Sequence, residues 1–286
     1  MDRGKTMTRK EYATPFPMLH AASLLSHTSR VRKFREAIYR VVKSDDYVID
    51  IGTGSGILAI LAAREGAKVT AIDVNQESLT YARKAARLNG VEENIDFVHS
   101  HFADFSPEDQ ADVVMCEMLS SFMLVEQQIA ASSYAVENLL KPSGNIIPEE
   151  ARIYVVPVQN DILWDRFDIE ELIFPRVPQT AEPGQSTDLA DLSELAVFDL
   201  TIPNTRPSVD QTLRFTCVQS GTIHGLAGMF ESKLFDDIIL TMDDGWKELF
   251  LPLPKPFKVN AGDTVDVRVS FTPGEYDSLV LETYPV

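Results

Sequence analysis

Cysteine is nearly absent from this sequence: Cys116 and Cys217 are the only two among 286 residues. Two thiols are too few for a disulfide framework and fit no paired metal spacing. Cys116 lies in an apolar run and reads as a buried, inert thiol. Histidine is scarce as well, at five residues. His99 and His101 form a His-x-His pair, but no third ligand stands out, so no metal site is expected. His224 sits among small apolar residues and reads as a core histidine. No serine or cysteine has the strand–turn–helix setting of an activated nucleophile. No apolar run reaches the roughly 18 residues of a membrane helix. The opening MDRGKTMTRKEY is charged with no apolar stretch behind it, so no secretory signal is expected and the cytoplasm is the default location. Positive charge is in deficit, with 26 Lys and Arg against 43 Asp and Glu and a net charge of −17. A chain this acidic is a poor ligand for phosphate backbones, so nucleic acid is not expected as a partner. Acidity favours a basic acceptor, protein or small molecule, or else serves only solubility.

What is present points to two regions. Hydrophobic residues make up 44% of the chain, enough to bury a sizeable core, and the length suits two domains. Residues 1–20 carry little pattern and read as a mobile arm. Over 21–42, Leu24, Leu25, Val31, Phe34, Ile38 and Val41 recur at helical spacing. Strands and helices then alternate. Strands are expected at 47–51, 68–74, 95–100 and 111–117, and helices at 57–65, 77–90 and about 124–140, with a turn at 140–144. Continuous apolar strands alternating with helices imply an α/β domain, 21–148, with a parallel sheet covered on both faces. After Pro148 the alternation gives way to strands separated by Pro and Gly, a β-rich region over 149–286. Within it, 160–195 is less regular and rich in Asp, Glu and Pro.

The sharpest motif is Asp50-Ile51-Gly52-Thr53-Gly54-Ser55-Gly56, between the first strand and its helix. Glycines allow a tight turn and a close approach of backbone to ligand, and the carboxyl end of a parallel strand is where open α/β sheets bind ligands. The spacing is G-x-G-x-G with Ile57 after it, whereas a dinucleotide fold wants its third glycine one residue later. That spacing suits a nucleoside with a charged amino-acid tail better than a pyrophosphate, and counts against a nicotinamide oxidoreductase. Asp73 ends the second strand, where a carboxylate accepts both ribose hydroxyls. Asp50 is expected to act through the turn backbone or on the ligand's ammonium. The ligand's carboxylate calls for a cation: Arg30 is a candidate by bidentate geometry, and a solvated basic face shared with Arg32, Lys33, Arg35 and Arg40 is the alternative.

A second informative stretch follows the fourth strand. Glu117 ends that strand and Glu126 stands nine residues on, with MLSSFMLV between them. Two charges flanking an apolar loop are expensive without partners. A guanidinium, with five donors, serves both carboxylates at once, and such a clamp orients one nitrogen for attack on a methyl group. Read blandly, Glu117 is a helix-start charge and Glu126 a solvated one. No Asn-Pro-Pro-Tyr-like segment follows the strand, which counts against methylation of amino-adenine. Trp246 is a candidate for stacking on an acceptor or, alternatively, a domain-interface aromatic.

Over nearly its whole length the chain resembles the protein arginine methyltransferase family. VIDIGTGSGILAILAAREGA resembles the family's first cofactor motif, AIDVN its acidic motif, and Glu117 with Glu126 its double-glutamate loop. GNIIPEEARIYV resembles the domain junction, GWKELFLPLPKPFKVNAGDTV the loop carrying the family's His-Trp pair, and SLLSHTSRVRKF the helix that covers the cofactor. The resemblance implies a Rossmann-like class I methyltransferase domain followed by a β-barrel-like domain for substrate and dimerisation. It implies S-adenosyl-L-methionine as cofactor and a protein arginine nitrogen as acceptor. It places Arg30 at the cofactor carboxylate, puts Phe102 and Asp104 in the segment that cups the adenine, and makes a homodimer the expected assembly. There are departures. Met118-Leu119-Ser120-Ser121 replaces a Met-Gly-Tyr-like stretch, Gly245 stands where the family has a histidine, and His27 stands where it has that histidine's acidic partner. The segment matching the dimerisation arm, about 160–190, aligns poorly. These changes keep two alternatives in view: the same chemistry on a small molecule or another protein side chain, and a binding module without catalysis.

Overall fold

The structure, a computed structural model, describes residues 16–204 and 207–285; most of the expected arm, residues 1–15, lies outside them. Helix α1 (Met18–Ser23) starts inside the stretch read as arm. The helix expected over 21–42 is two helices. Between α1 and α2 (Thr28–Val41) lies a 3-10 turn, Leu24–Ser26. The hydroxyls of Ser23 and Ser26 each donate to the carbonyl three residues back, at 2.7 Å, a local bond that competes with regular helix.

Strand β1 (Tyr47–Ile51), helix α3 (Ile57–Arg64), β2 (Lys68–Asp73), α4 (Gln76–Leu88), β3 (Ile95–His99) and β4 (Ala111–Cys116) follow. Helix α5 (Gln128–Tyr134) runs on as a π-helical stretch, Ala135–Leu139, into β5 (Leu140–Ile147). The five strands form a parallel sheet in the order β3-β2-β1-β4-β5. The turn expected at 140–144 is therefore part of a strand. Its register with β4 jumps from Ala111–Leu140 to Val113–Asn145, so Lys141-Pro142-Ser143-Gly144 is a bulge whose residues mimic turn chemistry.

A cis Ile147–Pro148 bond leads into β6 (Glu150–Gln159), and all later sheet pairing is antiparallel. A short helix α6 (Asp161–Asp165) precedes short strands β7 (Asp168–Ile169), β8 (Leu172–Ile173), β9 (Gln179–Thr180) and β10 (Thr187–Asp188). Then come β11 (Ser193–Asp199), β12 (Val209–Thr216), the long β13 (Gly221–Phe235), β14 (Ile238–Leu240), β15 (Leu249–Val259), β16 (Thr264–Thr272) and β17 (Glu275–Pro285). A seven-stranded sheet is built on β10-β6-β13-β15-β9, with β11 on β6 and β14 on β13; β12-β16-β17 form a second sheet.

One hydrophobic core runs through both regions. Phe34 and Ile38 of α2, Phe122 and Met123 after β4, Phe230 of β13 and Val267 of β16 belong to a single buried cluster. Phe122 stacks on Phe271 at 4.8 Å, and a Cβ on Gly228 would lie 2.6 Å from its ring. The loop after β4 is thereby wedged against the antiparallel sheet. No helix among the described residues is long and apolar enough to cross a membrane.

Candidate active site

The strand order builds the site. Ile51 of β1 pairs with Ile72 of β2 on one side and Cys116 of β4 on the other. Gly52, Asp73 and Glu117, each at or just after a strand end, therefore lie in a row at one edge of the sheet. Between β1 and β4 the strand order reverses, which is where an open parallel sheet leaves a crevice.

Gly52, Gly54 and Gly56 all have positive φ, at 72°, 53° and 80°. The N–H groups of Gly52 and Thr53 both donate to the carbonyl of Ile72, at 2.9 and 3.0 Å. A Cβ on Gly56 would come within 2.7 Å of Ala82 in α4, and one on Gly54 within 3.3 Å of Ala21 in α1. The third glycine thus lets α4 pack closely, and α1 lies across the turn. Asn75 donates from its amide to the carbonyl of Phe16 at 2.9 Å, holding the entry to α1 there.

The two acidic residues of this corner behave differently. Asp73 accepts the N–H of Gly54 at 2.8 Å on one oxygen and that of Asn75 at 2.7 Å on the other. This aims the carboxylate while leaving lone pairs for a ligand; burial raises its pKa above the usual range. Asp50 is 1% exposed and accepts the Thr53 hydroxyl at 2.6 Å. Burial pushes it up to about 7. Of the roles expected from sequence, the structure gives Asp50 the support of the turn from beneath. Phe102 is buried, with Tyr134 at 5.8 Å between ring centroids, and Asp104 is exposed beside it at the end of the same 3-10 turn.

Arg30 faces the crevice and the rest of its basic cluster does not share its partners. Its guanidinium is ion-paired with Glu117 and lies over the Trp246 ring at 4.9 Å. Burial pulls it down to about 10, opposed by the charge of Glu126, so it stays charged at neutral pH. Glu117 also accepts the N–H of Leu119 at 3.2 Å. Burial drives Glu126 up to about 7, with Arg30 opposing the rise. The Glu126 carboxylate makes no hydrogen bond among the described residues. Trp246 donates its indole N–H to the carbonyl of Leu119 at 2.9 Å and meets Phe230 edge-on at 5.1 Å. Its ring is a post between Arg30 and the glutamate loop.

Other residues that hold this loop escape sequence reasoning. Gln128, fully buried, accepts the N–H of Met118 at 2.8 Å and donates to Ser132 at 2.9 Å. Ser120 accepts the N–H groups of Val125 and Glu126 at 3.4 and 3.3 Å. Ser121 donates to the carbonyl of Lys247 at 2.5 Å. Ser120 and Ser121 lie in the Met118–Ser121 stretch that departs from the family's Met-Gly-Tyr-like sequence. Phe122 and Met123 take positive φ, at 67° and 51°, a conformation that costs non-glycine residues of order 1 kcal/mol or more and is held by the packing of Phe122. Elsewhere, His99 bonds the carbonyl of Val74 at 2.9 Å, His101 accepts the N–H of Ala103 at 3.2 Å, and His224 accepts that of Asn160 at 3.2 Å. Cys116 and Cys217 are buried and unbridged, and burial drives the Cys116 thiol well above its usual range.

A glycine turn, a carboxylate aimed beside it and a loop with two glutamates, met at the switch point of a parallel sheet, form the architecture of class I methyltransferases. Comparison with known proteins agrees. The family model described as "Ribosomal protein L11 methyltransferase" matches residues 35–152, and the one described as "PRMT5 oligomerisation domain" matches 153–273. An uncharacterised protein of Methanocaldococcus jannaschii is 38% identical over 130 residues, 45% of this chain and 50% of that protein. The "Arginine N(omega)-methyltransferase" of Streptomyces achromogenes is 27% identical over 278 residues, 90% of this chain and 76% of that enzyme. Among solved structures, the Trypanosoma brucei PRMT1 enzyme-prozyme complex with AdoHcy matches with a TM-score of 0.74 at 19% identity, over 94% of this chain and 98% of the other. These matches support a methyltransferase related to the protein arginine methyltransferases.

Proposed function

We propose that the protein is an S-adenosylmethionine-dependent methyltransferase whose acceptor is a protein arginine nitrogen. One observation carries the acceptor assignment: Glu126 is a desolvated carboxylate with no hydrogen bond among the described residues, and the one guanidinium that acts on it, Arg30, is already ion-paired with Glu117. Two carboxylates so arranged have capacity for a second guanidinium.

The cofactor corner fits its ligand. The bare Cα atoms of Gly52 and Gly54 let the turn lie close against Met118 and Ala21, each of which a Cβ would meet at 3.3 Å; Asp73 offers oxygens to a ribose, and Arg30 offers a planar fork to a carboxylate. Phe102 and Asp104 bound the adenine side. When bound, the sulfonium supplies the methyl group. The chain's part is to hold and polarise the acceptor. Glu117 and Glu126 bind the guanidinium, localise its charge on one side and leave the other nitrogen's lone pair in line with the methyl. As the nitrogen takes the methyl group, Glu117 and Glu126 would hold the positive charge of the methylated guanidinium while one proton passes from it to solvent. The acidic surface, net −17, attracts a basic acceptor.

A second reading has specific support. The relative matched over most of this chain is named for arginine, not protein arginine, so free arginine is the alternative acceptor. Incubation with isotopically methyl-labelled cofactor, offered an arginine-rich peptide and free arginine in turn, separates the two by mass spectrometry. Label on the peptide is expected; label on neither overturns both readings.

The partner we assign to the segment from α6 through β8 and Phe174 is a second copy of the chain. Ile162, Ile169, Leu172, Ile173 and Phe174 are all largely exposed, an apolar concentration of the kind that marks an interface. Cytoplasmic residence goes with this reading.

A further inference from the structure

Helix α2 is keyed to one turn of the antiparallel region. The turn Met242–Asp244 is closed by a capping box in which Asp244 accepts the Thr241 N–H at 2.9 Å. The same carboxylate accepts the Ser29 hydroxyl and the Lys33 ammonium, both at 2.6 Å. Two residues on, the Trp246 ring lies under Arg30. Between these contacts sit His27 and Gly245. A Cβ on Gly245 would collide with Nδ1 of His27 and lie 2.6 Å from its Cγ. The imidazole occupies the space a side chain would need, and Gly245 at φ 124° also has a backbone that L-residues rarely adopt.

His27 is the N-cap residue of α2, yet its side chain makes no cap hydrogen bond. Among the described residues the ring makes no hydrogen bond at all. Serine, threonine, aspartate or asparagine would cap that helix better. Local helix chemistry therefore does not account for the histidine, and what it does instead is fill the face of Gly245, one helical turn before Arg30.

We propose that His27 is a positioning residue for methyl transfer: its ring, seated on the bare Cα of Gly245, sets the first turn of α2 so that Arg30 meets Glu117 and Trp246 together. The inference rests on the methyl-acceptor reading of the site. Shape, not titration, is the property used, so phenylalanine should serve where serine cannot.

The test compares His27→Ser, His27→Phe, Gly245→Ala and the His27→Ser/Gly245→Ala pair in the full chain. His27→Ser supplies the missing cap, so its melting temperature should match or exceed the parent's, while kcat falls by about tenfold or more through misplacement of Arg30 and Glu117. His27→Phe should keep kcat within about threefold of the parent. The double variant should lose no more kcat than the worse single, the non-additivity of residues acting through one contact. A second readout is independent of activity: the indole N–H resonance of Trp246, assigned by its persistence in Trp164→Phe, should move in His27→Ser and stay in His27→Phe. A parent rate in His27→Ser with an unmoved indole resonance overturns the inference. A parent chain inactive on every arginine acceptor overturns the reading of the site instead, and the indole resonance then decides the contact alone.

Discussion

Arg30 is ion-paired with Glu117, so one guanidinium joins α2, the helix that follows α1 over the glycine turn, to the loop that carries both glutamates. The cofactor corner and the acceptor corner are mechanically connected through this pair, and Trp246 supports it from the other face. The pair is shielded enough that removing either member strands a charge, a costlier event than losing a surface ion pair.

Arg30→Lys tests the geometry of that link. Lysine keeps the charge but loses the planar fork and the stacking on Trp246. Affinity for S-adenosylhomocysteine, read by calorimetry, should fall by about tenfold, the equivalent of roughly 1.4 kcal/mol. An unchanged affinity would remove Arg30 from the cofactor site.

The raised carboxyls set opposite trends for activity and stability. Glu126 and Asp50 both titrate near 7 in the fold, well above their values in an unfolded chain. The folded state therefore holds protons that the unfolded state has released. This contribution to stability is complete below the unfolded pKa and is lost as pH rises through about 7. Urea midpoints should fall between pH 5.5 and 8, and the slope should be shallower in Glu126→Gln. Holding a guanidinium requires the ionised form of Glu126, so kcat/KM should rise over the same interval.

Gly56→Ala combines two costs. Its φ of 80° is unfavourable for alanine by about 1 to 2 kcal/mol, and the new Cβ meets Ala82. Denaturant midpoints should show a loss of about 2 kcal/mol or more. Adding Ala82→Gly should recover only the packing part and leave the backbone part.

Ile173→Lys, in the exposed segment, should leave the melting temperature of a dilute sample unchanged and shift sedimentation from dimer to monomer. A parent chain that sediments as a monomer at every concentration would contradict the assembly proposed here.

Much of the cofactor corner was legible because its information is local. Three glycines at fixed spacing and an acidic residue at the next strand's end identify a turn and the carboxylate that bonds it without any knowledge of distant contacts. Asp50 was harder: the motif marks it, but only its burial beneath the turn separates support from ligand contact. Strand β5 was hidden because its bulge is made of Lys-Pro-Ser-Gly, residues chosen by turns. The break between α1 and α2 was hidden because Leu24, Leu25 and Val31 keep helical spacing across it. Asp244 with Ser29, and Gly245 with His27, were out of reach: each pair is separated by more than 200 positions, and no local pattern announces a contact at that range.

Glu117→Gln is the most direct test of the division between donor and acceptor sites. Calorimetric titration with S-adenosylhomocysteine and single-turnover methyl transfer should be measured on the same preparation. Binding should stay within about fivefold of the parent while transfer falls by about a hundredfold or more, the pattern of a group that acts on the acceptor in the transition state. Loss of binding in proportion to the loss of transfer, or transfer at the parent's rate, would contradict the role given to Glu117.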